Sequence, residues 1–213
     1  MTTVVTQRTM TALVKKLVPA PHSEPSVAGN ARLTAMTALV LFVLLGLEGV
    51  TILAIRHLLS WHFFFGFMLI PPLLLKMAST GYRFLRYYTG SHRYRAAGPP
   101  LPLQRLIAPV VVLSTVALFV TGVELWLFGL RLGPLWLFAH KLSFVVWFGA
   151  TSVHVLSYLV RAPSLALEDF SPGQELKGTA ARRTFVSGAL LLGFVLAVVA
   201  AQYATPFVLF PQR

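Results

Sequence analysis

Apolar residues run along this chain in five long blocks, at about 33–55, 59–80, 106–128, 134–160 and 184–203, separated by short stretches rich in Arg, Gly and Pro. A helix crosses the hydrocarbon core of a bilayer with about 20 apolar residues, and every block is that long. The pattern predicts an all-α integral membrane protein with five transmembrane helices. It divides the chain into a cytoplasmic N-terminal segment (1–32), a four-helix transmembrane bundle (33–160), a cytoplasmic linker (161–183) and a fifth transmembrane helix with a short outer tail (184–213). The leader is polar and carries Pro19, Pro21 and Pro25. The first apolar block is too long for the apolar region of a signal peptide, so the N-terminus is expected to be retained.

Interruptions refine the elements. Pro71-Pro72 should kink or locally unwind the second span, because each proline removes a helical N–H. "GYRFLRYYTG" (81–90) extends that helix as an aromatic, basic interfacial turn, and "GSHRYRAAGPPLP" (90–102) reads as an irregular loop. The 163–183 stretch, with Glu168, Asp169 and Glu175, reads as a solvated linker. Trp61, Trp126 and Trp136 suit an aromatic belt at the outer interface. Gly188 and Gly193 do not form a Gly-x-x-x-Gly motif, and the fifth span reads as a packing or partner-facing helix.

The polar residues inside the spans repeat. "LFVLLGLE" (41–48) matches "LFVTGVE" (118–124), each ending in Gly-x-Glu, Gly46/Glu48 and Gly122/Glu124. His62 follows Glu48 by 14 residues and His140 follows Glu124 by 16; Lys76 then follows His62 by 14, as His154 follows His140. The first four spans are therefore expected to be a duplicated hairpin, related by an axis along the membrane normal. That symmetry sets His62 opposite His140 near one leaflet and Lys76 opposite His154 near the other. Fourteen residues make nearly four turns, about 21 Å along one helix face. The two histidines of the fourth span thus serve different levels of the bundle.

Composition fits this picture: of 213 residues 56% are hydrophobic and 11% charged. The formal charge of +12 would suggest nucleic acid only if the basic residues shared a folded face, and they lie instead mainly between the apolar blocks. Arg8, Lys15, Lys16, Arg32, Arg83, Arg86, Arg93, Arg95, Arg105, Arg161, Lys177, Arg182 and Arg183 fall on one side, against Arg56, Arg131 and Arg213 on the other. The positive-inside rule then places the protein in the plasma (inner) membrane with a cytoplasmic N-terminus and an outer C-terminus. No cysteine is present, which excludes disulfides, thiolate metal sites and thiol catalysis. Motifs of nucleotide hydrolysis and of serine or zinc hydrolases are also missing.

Paired intramembrane histidines at two levels suit flat, apolar haem held by axial imidazoles between helices of a bundle. Without a Cys-x-x-Cys-His motif such haem would be non-covalent. Gly66, one turn from His62, leaves room for a macrocycle edge, and Arg56, His57, Arg131 and Lys141 lie at the level where propionates would be met. Glu48 and Glu124 could carry protons or orient ligating histidines, or sit neutral and packed.

"WH…G" (Trp61, His62, Gly66), "TGVELWLFG" (121–129) and "AHK" followed by "VH" in the fourth span resemble the bacterial membrane cytochrome b superfamily, which includes cytochrome b561 and the cytochrome b subunits of hydrogenases and formate dehydrogenases. The resemblance covers 41–156. It implies haem b ligated by His62, His140 and His154, and electron transfer between the quinone pool and a redox partner subunit. Lys76 departs from the pattern where His154 would need a partner, which supports one haem and argues against a second; it could instead contact a cofactor carboxylate or snorkel to the headgroups. The alternative is a haem-free scaffold or small-ligand binder keeping the same bundle. A proton-coupled transporter using Glu48 and Glu124 is a weaker third reading.

Overall fold

The computed structural model describes residues 25–99, 102–159, 161–170 and 177–203. The polar leader up to residue 24, Glu175 and the tail from residue 204 lie outside the described residues. Among the described residues the long elements are all helical: α1 (Pro25–Leu53), α2 (Ile55–Tyr88), α4 (Pro102–Phe128), α5 (Leu135–Leu156) and α7 (Thr179–Gln202). Two short helices, α3 (His92–Ala96) and α6 (Arg161–Leu167), and a 3-10 turn (Glu168–Phe170) lie between them.

Four helices are long and apolar enough to cross a membrane: α1, α2, α4 and α7. This makes the chain a multi-pass membrane protein. The fifth expected span corresponds to α5, a 22-residue helix in which His140, Lys141 and His154 interrupt the apolar run; it is not among the four. Lipid-facing character is widespread, with Phe42, Leu74, Leu113, Val145 and Leu191 among many large apolar residues left exposed.

Each expected hairpin forms. α1 packs on α2, and α4 on α5. The α4–α5 turn closes through Gly133 at φ +100°, a conformation that side chains other than glycine's rarely adopt. The hairpins meet along α2 and α4, where the Phe67 and Trp126 rings pack edge to face with centroids 4.7 Å apart. Trp126 is therefore a packing residue inside the bundle rather than part of an interfacial belt, whereas Trp61 is exposed. α2 and α5 do not pack closely backbone to backbone, and α5 contains no fully buried residue.

The second span does not unwind at its prolines. α2 runs through Pro71 and Pro72 in helical conformation, and its one non-helical residue is Leu58, at the turn from α1. Pro72 has no N–H for the carbonyl of Met68, four residues earlier. α7 lays Gly193 directly against that carbonyl, so close that a Cβ there would collide with it. A Cα–H facing a released carbonyl is a weak hydrogen bond, and this contact accounts for close α2–α7 packing without a Gly-x-x-x-Gly motif. Phe67, Ala197 and Ala200 continue the seam as a buried cluster. The expected extension of the second helix is present, since α2 continues to Tyr88.

The 161–183 segment is not a solvated linker where it is described. α6 folds back on α1, with Ala166 fully buried among Ala35, Met36 and Leu39. Asp169 is 2% exposed and receives Nε and Nη2 of Arg182 at 2.5 and 2.6 Å and the Thr179 hydroxyl at 3.0 Å. Arg183 donates to the Asp169 carbonyl and lies over the Phe170 ring, while Arg32 of α1 pairs with Glu168 at 2.7 Å. The Arg182 hydrogen bonds hold the Asp169 carboxyl below the usual carboxylate range against the opposing effect of burial. The 90–102 loop, expected to be irregular, holds α3, whose buried Tyr94 packs on Tyr82.

Candidate functional site

The symmetric pairing read from the repeat brings His62 of α2 and His140 of α5 together, with ring centroids 6.3 Å apart and planes at 88°. Each ring is fixed by its own hairpin. His62 Nδ1 lies 2.9 Å from Glu48 Oε1 and 3.0 Å from Thr51 Oγ1, both on α1. The Thr51 hydroxyl donates to the Glu48 carbonyl at 2.6 Å, which leaves its oxygen to accept from the ring. His140 Nδ1 faces the Leu118 carbonyl at 3.1 Å and Thr121 Oγ1 at 3.0 Å on α4. Thr121 in turn donates to the Ala117 carbonyl at 2.7 Å.

Carbonyls and carboxylates only accept, so the proton of each neutral ring sits on Nδ1 and Nε2 carries a bare lone pair. Among the described residues neither Nε2 makes a hydrogen bond. Two imidazoles bound to one metal from opposite sides have centroids about 6 Å apart, from metal–nitrogen distances of about 2 Å and about 1 Å onward to each ring centre. The observed 6.3 Å matches that spacing. No family model, curated protein or solved structure matches this chain. The site is therefore argued from its own residues.

Two glycines lie beside the histidines. A Cβ at Gly66 would find Glu48 Oε1 at 3.8 Å, so the space beside His62 borders the carboxylate that holds it. A Cβ at Gly122 would come within 3.2 Å of His140 Cε1; the missing side chain is what lets this ring lie against α4.

The two glutamates of the repeat have diverged. Glu48 grips His62, but Glu124 is 8% exposed and neither of its oxygens has a hydrogen-bond partner among the described residues. Arg56, His57, Arg131 and Lys141 are exposed, and among the described residues none of them hydrogen-bonds or ion-pairs with His62 or His140.

At the other level Lys76 and His154 have separate hydrogen-bond partners. His154 Nδ1 bonds to Gln104 Oε1 at 2.7 Å. Lys76 Nζ donates to the Thr34 carbonyl at 2.9 Å, within a polar stitch of Asn30, Thr34 and Ser79 joining α1 to α2. An ammonium used as a donor is no metal ligand. Among the described residues no group of three or more His, Asp or Glu could hold a metal ion, so a metal here would need to rely on paired ligands.

Sequence reasoning missed Thr51, Thr121, Leu118 and Gln104. The threonines sit three residues after Glu48 and three before Glu124, so the repeat does not reveal them, and a carbonyl acceptor leaves no mark in a sequence.

Proposed function

We propose that this protein is a b-type membrane cytochrome, an electron-transfer subunit whose haem is held between α2 and α5 by His62 and His140. The observation that carries the reading is the histidine pair: rings 6.3 Å apart, each with Nδ1 tied to acceptors and Nε2 left over. Bound haem supplies reversible one-electron chemistry and no substrate transformation. The chain's contribution is to fix both rings. Glu48 and Thr51 hold one, Thr121 and the Leu118 carbonyl the other, and the apolar helices keep water away.

The Lys76/His154 level does not fit a second bis-histidine haem, because Lys76 is engaged with Thr34. The proposal retains a cytoplasmic N-terminus from the distribution of Arg and Lys, and a redox partner subunit, since little of the described chain lies outside the helices. It also retains the resemblance to the bacterial membrane cytochrome b superfamily, with quinone as the small redox partner. The test is a reduced-minus-oxidised spectrum of the purified protein with haem counted per chain. One haem per chain is expected, lost in His62→Ala and in His140→Ala; full haem content in His140→Ala overturns the assignment. The haem-free scaffold reading, favoured by Lys76 standing at a ligand position, predicts a colourless protein even with ample haem supply.

A further inference from the structure

The C-terminal end of α2 carries positive charge that the chain does not answer. No Asp or Glu occurs between Glu48 and Glu124, whereas Arg83, Arg86, Arg93 and Arg95 all fall within 83–95. Among the described residues Arg83, Arg86 and Arg95 make no ion pair, and Arg86 and Arg95 are exposed. The fold gathers these three. Gly90, at φ +90°, reverses the chain, and α3 packs back on α2 with the buried Tyr94 ring edge to face on Tyr82, centroids 5.8 Å apart. Arg95 reaches over Gly90 to the Tyr87 carbonyl, with Nε at 3.5 Å. At about 100° per residue, Arg86 and Arg83 point from α2 between Tyr82 and Tyr87, the two residues that α3 touches. Arg95 thus joins them on one face, and sets a cation over the helix end whose carbonyls would otherwise repel an anion.

We propose that Arg83, Arg86 and Arg95 bind the phosphodiester headgroup of an anionic phospholipid. Guanidinium forks match pairs of phosphate oxygens, and basic residues just beyond a membrane helix attract anionic lipid. The position of the cluster commits it to lipid. α2 continues from its apolar span to Tyr88 in one helix, and its 34 residues reach about 50 Å against about 30 Å of hydrocarbon. Its basic end therefore stands among headgroups. Round the helix from the arginines, Phe84, Leu85 and Tyr88 are exposed, the Phe84 and Tyr88 rings 4.6 Å apart. Such an aromatic face belongs at the lipid interface rather than in bulk water. A zwitterionic lipid, whose ammonium cancels its phosphate, lacks the net charge that three unpaired arginines call for.

The site goes beyond the haem reading and does not rest on it. Native mass spectrometry of the delipidated full-length protein in detergent tests it, with dioleoyl phosphatidylglycerol as probe and the matched phosphatidylcholine as control. One retained phosphatidylglycerol per chain is expected, and little phosphatidylcholine. Arg83→Gln, Arg86→Gln and Arg95→Gln should each weaken binding about five-fold, and the triple variant about a hundred-fold. Arg56→Gln at the other end of α2 and Arg131→Gln in the α4–α5 turn should leave it unchanged. Excess glycerol 1-phosphate, a soluble headgroup, should not displace the lipid. His62→Ala should bind as the parent protein does, so that failure here is distinct from failure of the haem site. Equal retention of phosphatidylcholine, undiminished binding in the single and triple variants, an equal loss in the Arg56 and Arg131 variants, or full displacement by glycerol 1-phosphate would each overturn the proposal.

Discussion

His62 and His140 present the same bare nitrogen, but the groups behind them differ: a carboxylate for His62 and neutral acceptors for His140. A carboxylate makes an imidazole the more electron-donating ligand, which stabilises oxidised iron. If the proposed haem is bound, Glu48→Gln should retain it and raise its midpoint potential, measured by redox titration, whereas Thr121→Val, with the Leu118 carbonyl still accepting, should shift it less. Gly122→Ala tests position rather than chemistry. Its new methyl would press on His140 at 3.2 Å, and haem content per chain should drop while helix content stays constant. Asp169 gives a prediction in pH. Its folded carboxyl is held below the ordinary value of about 3.9, so the stabilisation is complete above that value and is lost as pH falls through the lower folded one. Thermal melts should show Tm falling below about pH 4, a dependence weakened in Asp169→Asn. That variant should also lose about 3–5 kcal/mol by leaving Arg182 buried without its partner. The histidines and Glu48 were legible in the sequence because polar residues stand out in apolar spans. Asp169 was not, because three acidic residues in a short polar stretch look the same whether solvated or buried.

At the scale of elements, the five helices follow from where apolar runs begin and end, and α2 reaches Tyr88 as its aromatic and basic tail suggests. The Pro71-Pro72 pair leaves α2 helical in φ/ψ, and its effect depends on a neighbour. An isolated helix would open there, but α7 supplies a glycine at the freed Met68 carbonyl. Gly193→Ala should push the helices apart, costing about 1–3 kcal/mol by overpacking, seen as a lower Tm with an intact far-ultraviolet spectrum. Pro72→Ala would return an N–H to that carbonyl without relieving the clash, so it should not rescue Gly193→Ala. α6 escaped detection for a related reason: seven residues give too short a pattern, and the buried Ala166 is small.

For the whole molecule, the repeat of polar residues was visible in the sequence, and of the cross-bundle pairings it implies the structure brings His62 and His140 together. The way the halves associate was not visible, since the second hairpin meets the first mainly along α4, and α7 joins α2 instead of closing a symmetric bundle. The chain has no cysteine, so single introduced thiols report sidedness without background. If α5 crosses the membrane, Leu132→Cys and Lys177→Cys should react with an impermeant maleimide from opposite sides. Labelling from one side would return α5 to a single face.

The contact between Gly193 and Met68 joins residues that leave the ribosome 125 positions apart. During synthesis α2 enters the bilayer with the Phe67 and Met68 carbonyls left without helical N–H partners by Pro71 and Pro72, and the glycine that faces the second of them arrives only with α7. The second hairpin must be laid down in the meantime without occupying that flank. Assembly is thereby gated from the C-terminal side: a nascent chain halted before α7 would keep a polar flaw exposed to lipid, a mark by which membrane quality control can tell an unfinished molecule from a finished one.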